Sequence, residues 1–233
     1  MSRRAWLISG AVLAAIIVVV VAIVVSVSGG DSSTSASTPS DGSVSGAAEV
    51  LALTKGIPQS GFTIGKASAP VTVKEFLDPQ CPVCEKASTG AVPALVKGPV
   101  RAGEAKLVVV PLKFIGSDSV TASQAIAAAA DQDRAFVFSD IIYRNQGQEN
   151  SGWVTADLLK NIASAIPGLD VAAWEKASTA QAAGDAVFAA SDEATAAGVN
   201  ATPTFVISGP GGTKTLTGAI PAAELLSAVT AVS

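Results

Sequence analysis

The stretch Phe-Leu-Asp-Pro-Gln-Cys-Pro-Val-Cys-Glu-Lys, residues 76–86, contains both cysteines of this 233-residue chain, Cys81 and Cys84. The chain has no histidine. Most protein metal sites need further Cys or His ligands to complete their coordination. Cysteine proteases need a histidine base beside the nucleophile. The pattern therefore favours the redox chemistry of a dithiol, and we expect neither a metal ion nor a cofactor.

The residues around the cysteine pair predict a strand that leads directly into a helix. Residues 71–77 are mostly β-branched and apolar, and Pro82 suits the first helical position because its missing N–H is not needed there. Cys81 then lies at the helix N-terminus, where unpaired N–H groups and the macrodipole favour a thiolate. Cys84 follows one turn later and should be less exposed. We expect Cys81 to be the attacking thiolate and Cys84 the resolving thiol.

Two other interpretations of the pair stay open at this point. The cysteines could form a purely structural disulfide, although a ring this short gives little stabilisation through loop entropy. They could also form half of a metal site, for which the chain offers no further cysteine or histidine.

The N-terminal segment predicts a membrane anchor. Residues 5–27 carry no charge and are mostly Val, Ile and Ala. About 20 such residues span a bilayer, whereas the apolar core of a signal peptide has roughly 7–15. Arg3 and Arg4 precede the segment and the next basic residue is Lys55, so we expect the N-terminus in the cytoplasm and the rest outside. An unusually long, cleaved signal peptide is the alternative.

The composition after the anchor predicts a tether and then one globular domain. Residues 29–46 are mostly Ser, Thr, Gly, Asp and Pro and cannot bury enough apolar surface to fold, so we expect a flexible linker. A glycosylated stalk is the alternative. We assign residues 1–28 to the cytoplasmic stub and anchor, and residues 47–233 to the domain. Acidic residues outnumber basic ones, 19 to 15, which argues against nucleic acid as a partner.

The pattern of elements in the domain predicts an α/β fold with a helical insertion. Strands are predicted at residues 62–64, 71–77, 106–112, 204–207 and 213–217, the last two as an antiparallel hairpin. A closing helix should begin near Pro221. The residues between 114 and 202 are predicted to be helical, with Thr155 and Asp170 as N-caps and Gly198 as a C-terminal stop. The insertion should occupy about residues 115–200.

Three of these features occur in an order that resembles the DsbA-like branch of the thioredoxin superfamily. They are the stretch 76–84, the helical block, and Ala-Thr-Pro-Thr-Phe at residues 201–205. The resemblance covers roughly residues 60–231 and implies a thioredoxin-like fold. It also implies an extracytoplasmic, membrane-anchored protein disulfide oxidoreductase of the bacterial type. Its expected partners are unfolded or secreted cysteine-containing proteins and a membrane protein that reoxidises the disulfide.

The resemblance also assigns roles to residues outside the cysteine pair. It implies that Pro203 is cis and faces the cysteines, and that the backbone of Thr202 pairs with an incoming peptide as an added strand. The Thr202 hydroxyl should help to stabilise the thiolate. With Pro82 and Val83, these residues are expected to form the active-site loops.

Glu75 is the third candidate catalytic residue. It lies six residues before Cys81, where thioredoxin-like proteins keep a buried acid beneath the cysteines. Burial would raise its pKa and let it exchange a proton with Cys84. The neighbouring Lys74 and Asp78 are expected to be solvated.

The residue between the cysteines departs from the pattern of the best-known strong oxidant of this branch. That protein has a histidine where this chain has Val83. Without the cation, the pKa of Cys81 should be less depressed and the disulfide less oxidising. We expect an oxidase that donates disulfides. A reductase or isomerase, or a non-enzymatic chaperone or binding module with a structural disulfide, is the alternative.

Overall fold

A computed structural model describes residues 44–233 of the chain. The strands are β1 (Gln59–Ser60), β2 (Thr63–Ile64), β3 (Val71–Leu77), β4 (Ala105–Pro111), β5 (Thr204–Gly209) and β6 (Gly212–Thr217). The helices are α1 (Ala47–Thr54), α2 (Pro82–Thr89), α3 (Ala91–Leu95), α4 (Ser117–Ala130), α5 (Ala135–Tyr143), α6 (Ala156–Ser164), α7 (Val171–Ser178), α8 (Gln181–Ala196) and α9 (Ala222–Val232). A π-helical turn over Val96–Val100 precedes β4.

The predicted membrane anchor at residues 1–28 and most of the predicted linker at residues 29–46 lie outside the described residues. Within residues 44–233, no helix has both the length and the apolar composition needed to cross a membrane.

The six strands form one mixed sheet in the order β1-β2-β4-β3-β5-β6. Strand β3 occupies the middle and pairs parallel with β4 and antiparallel with β5. Strands β5 and β6 form the predicted antiparallel hairpin. The end of β3 thus lies beside the start of β5, which brings the two sequence motifs to the same edge of the sheet.

The alternation of side chains along β3 decides which face each residue occupies. Val71, Val73 and Leu77 point into the main hydrophobic core, which also contains Cys84. Phe76 points to the other face and packs in a second cluster with residues of α8. Since Glu75 has the same parity as Val73, its carboxyl lies on the face of the main core.

Helices α4 to α8 form the predicted helical block between β4 and β5. The predicted N-caps are confirmed, because Thr155 accepts a hydrogen bond from the N–H of Leu158 and Asp170 accepts one from Ala173. The stop at Gly198 is confirmed too, since this glycine follows α8 with a φ of 69°.

The sequence patterns did not predict α1 or the two-residue strand β1. Helix α1 has no side-chain cap, and its N-cap Gly46 adopts a left-handed φ of 71°. Its contacts explain its position: the stem of Arg144, at the end of α5, packs against Gly46, where a Cβ would lie 2.1 Å from it. Packing against α5 therefore stabilises α1, and a local sequence pattern does not reveal such a contact.

Candidate active site

Cys81 and Cys84 lie where α2 begins, as the sequence predicts. Cys81 is the N-cap of the helix and Pro82 occupies its first turn. The carbonyl of Cys81 accepts hydrogen bonds from the N–H groups of Cys84 at 3.0 Å and Glu85 at 3.2 Å. Both cysteines are free thiols, and only Cys81 keeps any exposed surface, 6% against 0% for Cys84. A thiol from a substrate can therefore approach Cys81 but not Cys84.

The surroundings of the two sulfurs separate their pKa values. The pKa of Cys81 falls from its ordinary 9.0 to about 6, chiefly because the Cys84 thiol donates a hydrogen bond to the Cys81 thiolate. Burial opposes this change, while Thr202 and the backbone of Cys84 and Val83 favour it. The pKa of Cys84 is raised well above its ordinary value by burial and by the Cys81 thiolate. At neutral pH Cys81 is the thiolate and Cys84 the thiol.

Thr202 and Pro203 face the cysteine pair from the start of β5. The Thr202–Pro203 peptide bond is cis, as the resemblance predicts. The Cys81 sulfur lies 3.4 Å from the Thr202 carbonyl oxygen. The fold thus brings Thr202 into contact with Cys81, although the two residues are 121 positions apart in the chain.

Glu75 is buried, with 3% of its surface exposed. Burial is the main reason that its pKa rises from 4.5 to about 8, and the negative charge of Asp140 adds to the effect. A carboxyl with this pKa is mostly protonated at neutral pH and can release its proton near that pH.

The prediction that Asp78 is solvated is wrong. Asp78 has no exposed surface and accepts hydrogen bonds from the Gln80 N–H at 2.9 Å, the Ser119 hydroxyl at 2.6 Å and the Ile115 N–H at 3.1 Å. The N-terminal part of α4 covers this carboxylate. The local Asp-Pro sequence does not predict this burial, because Ser119 of α4 lies 41 positions further along the chain. Lys74, in contrast, is half-exposed and forms a surface ion pair with Glu193.

Sequence reasoning missed several residues that hold the loop before Cys81. The Tyr143 hydroxyl donates to the Asp78 carbonyl at 3.0 Å. The Gln146 side chain donates to the carbonyls of Pro79 at 2.8 Å and Cys81 at 3.2 Å. In the sequence, Tyr143 ends a run of apolar residues that predicts core packing and no role at a site. These bonds fix the backbone that positions Cys81.

Val83 is exposed beside the cysteines and brings no charge to them. Among residues 44–233, no group of three or more Cys, His, Asp or Glu side chains is placed to hold a metal ion.

Comparisons with known proteins point in one direction. A family model described as "Thioredoxin" matches residues 59–227. A Bacillus anthracis protein named "Probable disulfide bond formation protein D" is 32% identical over 151 residues, which is 63% of this chain and 69% of that protein.

Solved structures give the same fold. Oxidised BdbD from Bacillus subtilis superposes with a TM-score of 0.65 at 23% identity, covering 75% of this chain and 95% of BdbD. DsbA from Chlamydia trachomatis superposes with a TM-score of 0.63 at 26% identity, covering 72% of this chain and 89% of that one. The predicted mixed α/β, thioredoxin-like fold is confirmed.

Proposed function

Because this chain belongs to the thioredoxin family, in its DsbA-like branch, we propose that it is an extracytoplasmic oxidoreductase that forms disulfide bonds in secreted proteins. One observation carries the proposal. At the start of α2 a cysteine with a pKa of about 6 stands next to a fully buried partner whose pKa is raised. A pair that combines a reactive thiolate with a buried, protonated thiol is suited to exchange disulfides rather than to form a structural disulfide.

The reaction begins with the oxidised protein. A substrate thiolate attacks the sulfur of Cys81, and the Cys81–Cys84 bond breaks as the new substrate–Cys81 bond forms. The electron pair of the broken bond leaves on the sulfur of Cys84. We assign to Glu75 the role of giving that sulfur its proton, because Glu75 is a protonated, buried carboxyl on the core face that also holds Cys84.

The second step releases the product. A second thiolate of the substrate attacks the substrate sulfur of the mixed disulfide and displaces Cys81. The substrate gains a disulfide, and the enzyme receives two electrons as the Cys81 thiolate and the Cys84 thiol. The low pKa of Cys81 makes it a good leaving group.

Thr202 and Pro203 are proposed to receive the substrate backbone, as an added strand beside the start of β5. The position of the Thr202 carbonyl, 3.4 Å from the Cys81 sulfur, supports this role. Pro82 and Val83 complete the loop around Cys81, and the exposed Val83 side chain offers an apolar contact to an unfolded peptide.

The direction of electron flow follows from the stability of the Cys81 thiolate. Its pKa of about 6 lies between the values of about 7 for thioredoxin and about 3.5 for DsbA. We therefore propose a reduction potential between about −270 mV and about −120 mV, the values of those two proteins. The name of the Bacillus relatives, disulfide bond formation protein, favours the oxidase over the reductase or isomerase.

We also propose a cellular location and a redox partner for the protein. Residues 1–28 are proposed as a single-pass anchor with a cytoplasmic N-terminus, residues 29–46 as a linker, and residues 47–233 as the outer domain with its helical insertion at about 115–200. The uncharged run and the arginine pair before it support this arrangement. A membrane protein that removes the two electrons would complete the cycle.

The test is oxidation of a reduced, unfolded substrate by the full-length protein in mild detergent. We expect Cys81→Ser to abolish it. When Cys84→Ser is given a substrate that already contains a disulfide, its Cys81 thiolate should attack that disulfide and displace one substrate thiol, which leaves a mixed disulfide that a non-reducing gel detects. If oxidation survives Cys81→Ser, the cysteine pair does not catalyse it. The chaperone or binding module with a structural disulfide would then be the favoured function. A potential in glutathione buffer at or below that of thioredoxin would rule out the oxidase direction.

A further inference from the structure

Helix α5 carries a second buried carboxyl that the mechanism above does not use. Asp140 is 3% exposed. It accepts a hydrogen bond from the Ser88 hydroxyl and lies 3.3 Å from a guanidinium nitrogen of Arg144. Arg144 is itself nearly buried, and its other terminal nitrogen lies 3.0 Å from Glu49 of α1. Asp140 is therefore held in place by charged and polar partners on the inner side of α5.

Asp140 and Glu75 line the same small cavity, of about 10 Å³, in the core. The hydroxyl-bearing residues Ser88, Ser139 and Tyr143 line it as well. This volume is close to the minimum for one water molecule, and the walls supply more polar groups than the two to four that such a water needs. The two carboxyls therefore face one small polar cavity inside the core.

One residue of the cavity wall, Ser88, lies one helical turn from the resolving cysteine. Ser88 follows Cys84 by four residues in α2, so the two side chains lie on the same buried side of that helix. Because the Ser88 hydroxyl also donates to Asp140, Ser88 connects the helical turn that carries Cys84 with the Asp140 carboxyl.

The polar and charged neighbours of Glu75 and Asp140 act differently on the two carboxyls. Burial raises the pKa of Asp140, while Ser88 and Arg144 oppose this and favour its anionic form. Asp140 in turn favours the protonated form of Glu75. The other ionisable groups that act on this region are Asp78, Cys81, Cys84, Tyr143 and, beyond Arg144, Glu49. Burial and the neighbouring negative charges raise the pKa of Tyr143 well above its ordinary value, so it stays neutral. Two carboxyls in one desolvated site do not both ionise readily, and they titrate as a pair.

We propose that Glu75 and Asp140 share one proton across this cavity, and that Asp140 thereby sets how readily Glu75 exchanges a proton with Cys84. The inference rests on the proposed function for its last step. When the Cys81–Cys84 bond breaks, the electron pair goes to Cys84 and the proton comes from Glu75. That leaves Glu75 and Asp140 both anionic, so the pair takes up one proton from solvent. Asp140 touches no reacting sulfur and acts as a positioning residue.

The sharing is tested first in the unmodified, full-length, oxidised protein in mild detergent, with ¹³C-labelled Asp and Glu. Because each carboxyl senses the ionisation of the other, we expect the titration curves of Glu75 and Asp140 to share two inflections. Two independent curves with one inflection each would overturn the proposal, whether or not any variant folds.

The second test compares Asp140→Asn with Asp131→Asn, which removes an exposed acid at the end of α4. Loss of the Asp140 charge should move the titration of Glu75 about one pH unit lower. The pH profile for reduction of the disulfide by glutathione should move by the same amount. Asp131→Asn should leave both unchanged.

The outcomes separate this inference from the proposed function. A wild-type protein that exchanges with glutathione, and an Asp140→Asn variant with the same pH profile, would overturn the role of Asp140 and leave the function intact. A wild-type protein that does not exchange would overturn the function, while the carboxyl titrations would still decide whether the proton is shared.

Discussion

The sulfur of Cys81 lies 3.4 Å from the carbonyl oxygen of Thr202, although helix α2 and strand β5 contribute them from distant parts of the chain. A neutral thiol can donate to this carbonyl, and Thr202 also stabilises the thiolate. Thr202 thus offers an acceptor to the thiol and a stabilising hydrogen bond to the thiolate. The pKa of Cys81 is thus set by partners on two elements.

The largest of these contributions is the easiest to remove. The Cys84 thiol is the main group that lowers the pKa of Cys81. In Cys84→Ala we expect the pKa of Cys81 to rise from about 6 towards its ordinary 9.0. Cys84→Ser keeps a hydroxyl donor and should raise it less. Ultraviolet absorbance of the thiolate against pH measures both; equal pKa values in the two variants would contradict the role of the hydrogen bond.

The separation of the two thiol pKa values predicts a break in the reduction potential. Below about pH 6 the reduced protein binds two protons, and above it Cys81 is a thiolate and only Cys84 is protonated. For two electrons, the potential should fall by about 59 mV per pH unit below the break and by about 30 mV above it. Equilibration with glutathione from pH 5 to 8 checks this. A constant slope would place the pKa of Cys81 outside that range.

Glu75 makes stability depend on pH. Its pKa is about 8 in the folded protein and 4.5 ordinarily, so between these values the folded state keeps a proton that the unfolded state has lost. Stability contributed by this proton is full below pH 4.5 and is lost as pH rises to 8, at up to about 1.4 kcal/mol per pH unit. The oxidised protein is the proper sample, because no cysteine titrates in its folded state.

In Glu75→Gln the part of this fall that Glu75 causes should disappear, since the amide does not ionise. Urea unfolding at several pH values gives the comparison, with Glu149→Gln as the control because Glu149 is an exposed acid. If Glu75→Gln and the wild type lose stability in parallel as pH rises, Glu75 is not the buried proton carrier.

The buried Asp78 should be costly to remove. Asp78→Ala leaves the N–H groups of Gln80 and Ile115 and the hydroxyl of Ser119 without their acceptor. At about 1–3 kcal/mol for each unsatisfied group, we expect a loss of at least about 3 kcal/mol in the free energy of unfolding.

Asp118→Ala is the matched control, because Asp118 is half-buried and accepts one hydrogen bond, from the Gly152 N–H. Its loss should be about 1 kcal/mol or less. Chemical denaturation of both variants measures the difference. Similar losses would mean that the Asp78 network contributes no more than a surface contact.

The sequence predicts well those features that depend on neighbouring residues. Strand β3 has the predicted bounds, and the caps at Thr155 and Asp170 and the hairpin of β5 and β6 follow from local patterns. The placement of Cys81 at a helix N-terminus is of the same kind, because Pro82 marks the first turn.

The buried acids show why the rest is harder to predict. Asp78 meets Ser119 across 41 positions of the chain, and Asp140 meets Ser88 across 52. Each carboxyl is buried by an element whose position depends on the complete fold. In a local window an aspartate before a proline, or one in an apolar helix, gives no sign of such a partner.

The unequal burial of the two sulfurs also determines what an oxidant does to the reduced protein. Because Cys84 has no exposed surface, peroxide meets Cys81 first. The sulfenic acid formed there has a thiol one helical turn away, and condensation of the two restores the disulfide with loss of water. Oxidation of Cys81 by peroxide therefore regenerates the Cys81–Cys84 disulfide. This reaction competes with further oxidation of the sulfur to the irreversible sulfinic and sulfonic acids.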